Sequence, residues 1–232
     1  MLNLHRPMLR GFHVICLLVL LSTFSSSQAK HEGATVSFTL DFPASQPAHY
    51  SVQVQSDGKA RYQSKSKIST ESNDSDQVNE TDNFDYEFTV SPATRDKILA
   101  LSAKAGYFQK DLDSHRKNMA FTGSKTLSYK DGLRSSESTY NYSPDVAVQD
   151  LTNLFQSLSA TLELGHRLEY SLRYQKLALA EELRRTEESA RLTPPLEIQA
   201  IAPILQHIVA DASVMNVSRA RAQWLLDRSS GH

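Results

Sequence analysis

HYSVQVQSDGKARYQSKSK, residues 49–67, decides the fold. Apolar and polar residues alternate on both sides of Ser56-Asp57-Gly58, which is the period of a half-buried strand. The loop length settles which faces match. A two-residue Asp57-Gly58 loop would set Val54 opposite Arg61 and waste the apolar face. A three-residue loop with Gly58 left-handed sets Val54 against Ala60, Val52 against Tyr62 and Tyr50 against Ser64, and this is the register expected. Lys59, Arg61, Lys65 and Lys67 then share the other face.

Downstream, NFDYEFTV alternates strictly, with Phe84, Tyr86, Phe88 and Val90 inward and Asp85 and Glu87 outward. If this strand pairs with the basic one, its acids neutralise the cationic row, each opposite-charge pair contributing up to about 1 kcal/mol. The polar run between them, residues 69–83, is rich in acids but lacks the ligand pattern and glycine of an EF-hand loop, so a solvated loop is expected.

TVSPATRDKILALSAKAGYF predicts a strand end and then a helix. Ser91 is the N-cap, Pro92 takes the first helical position, and Ile98, Leu99 and Leu101 supply the buried stripe before Gly106. The loop QKDLDSHRKN follows, with Asp111, Asp113 and His115 at alternate positions. Two carboxylates and a histidine are the residue types of metal ligation or acid–base chemistry, which makes this loop the candidate polar site. A second unit then repeats the plan: a strand, Asp131-Gly132, a strand, and a helix capped at Ser143-Pro144. A three-residue loop would place Leu127, Tyr129 and Leu133 on one face and Tyr140 on the other. About five antiparallel strands with helices on one face make a two-layer α+β domain.

This succession of Asp57-Gly58 hairpin, aromatic strand, Ser91-Pro92 helix ending in AGYF, Asp131-Gly132 hairpin and Ser143-Pro144 helix resembles an uncharacterised family of small exported bacterial domains. The resemblance spans residues 35–160 and implies a fold and an envelope location, without an activity. This chain departs from the family in having DFPASQPAHY where cysteines stand before the first hairpin.

Residues 1–29 have the form of a targeting segment: Arg6 and Arg10 without acids, the apolar run VICLLVLLSTF, and small Ser27 and Ala29 before Lys30. Export to the periplasm or the extracellular space is expected, an uncleaved anchor being the rival reading. The apolar run is short for a bilayer span. The only cysteine, Cys16, lies in it, so the mature chain would have no disulfide and no thiolate. The 232 residues carry a formal charge of −1, with 40% hydrophobic residues. That composition suits one domain with an extension and argues against a bulk nucleic-acid binder.

Past residue 160 the pattern is helical. Leu164, Leu168, Leu172, Leu179 and Leu183 line one face of an expected long helix over 161–192, with Glu163–Arg167, Glu169–Arg173, Glu181–Arg185 and Glu187–Arg191 as acid-first pairs. Such a stripe packs either on its own tail or on a partner, including a second copy. Thr193-Pro194-Pro195 breaks the helix, and residues 193–232 form a short helical pair resembling one HEAT-type hairpin, with Pro203 restarting a helix and Trp224 as a possible interface anchor. Glu163 and His166 have the spacing of a di-iron helix, but Ile204 stands where a second Glu-x-x-His with His207 would need its glutamate.

No nucleophile elbow, P-loop or dinucleotide fingerprint occurs, and no cofactor is implied. The expectation is a non-enzymatic protein-interaction module, with a hydrolase or metal-dependent enzyme at the 109–118 loop as the alternative. The enzyme would gather Asp111, Asp113 and His115 in a pocket. The module would expose apolar surface along 164–183 or around Trp224.

Overall fold

The computed structural model describes residues 33–67, 81–193 and 195–229. The 1–29 segment and the 69–80 part of the polar run lie outside them. Six strands form one antiparallel sheet in the order β4-β3-β2-β1-β5-β6. They are β1 (Thr35–Asp41), β2 (His49–Gln55), β3 (Lys59–Lys67), β4 (Thr81–Thr89), β5 (Ser124–Lys130) and β6 (Ser135–Tyr140). The architecture is α+β, with one strand more than expected. The extra strand is β1, whose Val36, Phe38 and Leu40 alternate inward between β2 and β5.

The first hairpin has the expected register, Val54↔Ala60, Val52↔Tyr62 and Tyr50↔Ser64, with Gly58 at φ +91°. β4 pairs with β3, and Asp85 takes two hydrogen bonds from Arg61, at 2.8 Å from Nε and 2.5 Å from Nη2. Those bonds hold the Asp85 carboxyl down at about 2. Asp57 takes Lys59, at 2.9 Å. Of the four basic residues expected in the row, Arg61 thus finds an acid on β4 and Lys59 one in the turn, while Lys65 lies opposite Asn83.

The second hairpin differs from expectation. Lys130↔Ser135 closes a four-residue loop, because the Asp131 carboxylate accepts from the backbone N–H groups of Leu133 and Arg134. Leu133 thus sits in the turn, 91% exposed, and Tyr140 joins Leu127 and Tyr129 on the buried face. Burial pushes the Tyr140 hydroxyl up to about 12, while its oxygen pairs with Thr152 Oγ1 at 2.6 Å. The helix after this hairpin is capped by Asp145, which accepts from Ala147 N, in place of Ser143.

α1 (Pro92–Lys104) has the expected Ser91 cap, and α2 (Val146–Tyr174) lies on the same sheet face. Phe155 of α2 stacks on Phe38 at 5.4 Å. The helix expected over 161–192 is two: α2 runs unbroken through residue 160 for 29 residues, and α3 (Lys176–Leu192) starts after a break at Gln175. Glu163 does not pair with Arg167. It faces the sheet and accepts from Tyr62 Oη (2.7 Å) and Ser64 Oγ (2.6 Å), so Arg167 turns to Glu182, at 2.8 Å. The other three acid-first pairs form.

After α3 a 3-10 turn (Ile198–Ile201), α4 (Ala202–Ala210, Pro203 in its first turn) and α5 (Asn216–Ser229) fold back. What anchors them is Glu197, a buried residue in a left-handed conformation at φ +56°. Its carboxylate accepts from Ser91 N at 2.8 Å and Ser91 Oγ at 2.7 Å, so a side chain 106 positions away satisfies the cap residue of α1. The positive end of that helix also favours a carboxylate there. Tyr86 Oη donates to Ala200 O at 2.8 Å, and Ile201 packs onto Gly165, where an added Cβ would lie 2.5 Å from Ile201 Cγ2.

Two stability outcomes follow from this docking. Glu197→Ala strands the Ser91 donors and should cost about 2 kcal/mol, read as a lower urea midpoint, with faster amide exchange through 198–229. Gly165→Ala gains about 1 kcal/mol of helix propensity but forces Ile201 aside, an overpacking cost of about 1–3 kcal/mol. Net destabilisation is expected in the same urea titration, and a more stable variant would show that the contact yields freely.

Candidate functional site

The Asp111–Asp113–His115 loop is a knot of local hydrogen bonds. Asp113 accepts from His115 N and from Asn141 N, both at 2.6 Å, while Asp111 accepts from Asp113 N at 3.0 Å and pairs with His115 Nε2 at 2.6 Å. His115 takes φ +49° to allow this. Asp111 and His115 side chains are 63% and 73% exposed. The three residues meet, but their oxygens are taken up by N–H groups of the loop, by Asn141 N and by the His115 ring at an exposed position, which ties the loop to the end of β6 and offers no enclosed site.

Lys125, beside this loop, escaped the sequence reading. It is buried, and its Nζ donates among the carbonyls of Thr122, Gly123 and Asn141 and the Thr122 hydroxyl, at 2.8–3.2 Å. Burial lowers its pKa. Alternation marks Lys125 as an inward position of β5, the one signal that could have found it. Its role is to tie the 120–123 segment to Asn141 beyond β6.

The leucine stripe is in the core. Leu168, Leu172, Leu179 and Leu183 are all buried against the folded-back arm, so they present no surface to a partner. Intrachain packing is the alternative that holds. Trp224 is half-buried between two guanidinium groups, Arg228 at 3.9 Å and Arg191 at 4.9 Å from its ring centre. His166 stacks on Phe84 at 4.2 Å and 4°. No group of three or more His, Cys, Asp or Glu residues that could hold a metal occurs among the described residues.

Exposed apolar surface does occur within 164–183, on other residues. Tyr170, Tyr174 and Leu177 are 53%, 63% and 83% exposed at the tip of the α2–α3 hairpin, the two rings 5.0 Å apart. Leucine spacing marks the buried seam and leaves out these tyrosines, which lie on the opposite, solvent side. Along α2, between α1 and α3, runs a groove of about 800 Å³ lined by Lys97, Asn153, Ser157, Thr161 and Ser189. Its Arg167 and Glu182 pair with each other, and Arg185 pairs with Glu181 at 2.6 Å.

The chain matches no protein-family model, and no curated protein matches it. Among the described residues no helix is long and apolar enough to cross a membrane.

The loop knot has a pH signature. The hydrogen bond and charge of Asp111 raise the His115 pKa, and His115 in turn lowers that of Asp111. The histidine's share of stability is therefore complete below its ordinary pKa and lost as pH rises through the raised one. The carboxylate's share is present above its ordinary pKa and lost as pH falls through the lowered one. NMR titration should find His115 above its usual midpoint and shifted down towards it in Asp111→Asn, with Asp113 still holding it up in part. An unshifted wild-type histidine would mean the pair does not form.

Proposed function

We propose that this chain is a non-enzymatic protein-interaction module, acting in the cell envelope or outside the cell, that presents the tip of its α2–α3 hairpin to a partner. One observation carries the reading: the exposed Tyr170–Tyr174–Leu177 cluster where the packed helices α2 and α3 meet. Tyrosine contributes a large rigid contact area with a polar end, and is enriched where partners bind most tightly. The helix pair is held by a buried leucine seam, so the tip is offered without an ordering cost. The leader-like residues 1–29 support the location.

The test is site-specific photocrosslinking in producing cells. A benzoylphenylalanine at Tyr174 or Leu177 should trap a discrete adduct, and the same group at Gln53, on the polar sheet face, should not. An adduct of twice the chain's mass identifies a second copy as the partner. Tyr174→Ser should weaken capture by about 2 kcal/mol, while changing stability by no more than about 0.5 kcal/mol, since the side chain is exposed. No tip adduct, or equal adducts from both faces, sinks the proposal.

A further inference from the structure

The two edges of the sheet are treated differently. Along β6 the 106–115 segment acts as a fence: Ser136 Oγ donates to Tyr107 O, Leu112 N donates to Ser138 Oγ at 3.1 Å, and Ser114 N donates to Tyr142 O at 2.9 Å. β4, at the other edge, is nine residues long and contains neither proline nor glycine. Val90 N donates to Gly58 O just beyond the end of the β3–β4 ladder. Hydrogen-bonded pairs in an antiparallel ladder recur at every second residue, so they fall at the even positions of β4. The N–H and C=O groups of Asn83, Asp85, Glu87 and Thr89 therefore point outward, and among the described residues no hydrogen bond engages them. Unblocked edges of this length are pairing sites.

Two further features say what would pair. Inside the edge is a cavity of about 210 Å³, lined by Phe84 and Tyr86 of β4, Gly165 and His166 of α2, and Ile201 and Ile204 of the arm. A seventh strand would place its residues opposite Phe84, Tyr86 and Phe88 on this inner side, with an apolar side chain aimed at the cavity. On the outer side the facing residues are Asp85 and Glu87. Asp85 is bonded to Arg61, whereas Glu87, directly opposite Arg61 in the register, interacts with it through charge alone and takes no hydrogen bond or ion pair among the described residues. A second copy pairing antiparallel about Tyr86 would set Asp85 against Glu87 twice, a like-charge arrangement that disfavours self-pairing.

We infer that β4 is a strand-addition site for an extended polypeptide in which apolar residues alternate with lysine or arginine. The backbone edge supplies affinity. The cavity reads the apolar positions, and Asp85 with Glu87 reads the basic ones. This surface is distinct from the hairpin tip, and its test reads the amides of β4 alone.

The probe is a synthetic peptide that alternates valine and lysine over the nine-residue length of β4, mixed with the full chain. Protection of the Asn83, Asp85, Glu87 and Thr89 amides in hydrogen exchange is expected, with fluorescence anisotropy giving the affinity. A valine–glutamate peptide should bind about tenfold more weakly or less, as should Glu87→Lys with the original peptide. Glu87→Pro removes an outward N–H that β3 does not use, so it should abolish binding. Glu87→Lys keeps the test decisive if the proline variant does not fold. Binding that protects no β4 amide, or that survives Glu87→Lys unchanged, overturns the inference. So does light scattering that shows a dimer without peptide which Glu87→Lys strengthens or Glu87→Pro dissolves, since the edge would then serve self-pairing.

Discussion

The carboxylate of Glu197 on the cap of α1 is the constraint from which the placement of the helical arm follows. A buried carboxylate survives only where donors replace its water, and here they come from Ser91 N, Ser91 Oγ and Gln199 Nε2. That requirement brings residue 197 to residue 91. The next contacts then fall into place: Ala200 under Tyr86, Ile201 on Gly165, and α4 and α5 over the leucine seam of α2 and α3. The arm is thereby part of the same hydrophobic core as the sheet and not an appendage to it. The cavity inside β4 exists because the arm arrives there, since Ile201 and Ile204 form one of its walls.

A similar economy governs the charges. Arg61 and Asp85 satisfy each other across β3 and β4, Arg167 and Glu182 across α2 and α3, and Glu187 takes both Arg191 and Arg221. On exposed faces each such pair contributes no more than about 1 kcal/mol. Their larger effect is on what remains available. With Lys59 and Arg61 paired to Asp57 and Asp85, the surfaces that remain for a partner include the outward backbone of β4, beside Glu87, and the tyrosines of the hairpin tip. Both surfaces are proposed to take polypeptide chain, extended at β4 and apolar at the tip.

Much of the sheet was legible from the sequence. Period-two alternation identified β2, β3 and β4, and the parity of a loop ending in left-handed Gly58 set the first register correctly. The same parity failed at Asp131, because its carboxylate caps two backbone N–H groups and closes a loop of four residues, which turns Leu133 out and Tyr140 in. β1 carries an equally clear alternation in Val36, Phe38 and Leu40, with Pro43, Ser45 and Pro47 marking the loop that joins it to β2, and the expectation of about five strands leaves it out. The candidate site was legible only as composition. Asp111, Asp113 and His115 do meet, yet spacing could not reveal that backbone N–H groups use their oxygens.

What the sequence determined by itself is local: strand periodicity, the Ser91 cap, the break at residues 193–195 and the leucine seam. Each rests on interactions within a few residues or on the identity of one face. What only the tertiary structure decided is which faces stay uncovered. Glu163 reads as one half of a helical ion pair, but becomes the acceptor for Tyr62 and Ser64 once α2 lies on β3. The seam reads as packing either on its own tail or on a partner, and the choice falls to the tail because the arm, docked through Glu197, lies over it. The tyrosines and the β4 edge are left outside for the same reason. Burial depends on the distance between residues far apart in the chain, a quantity that periodicity along the chain does not contain.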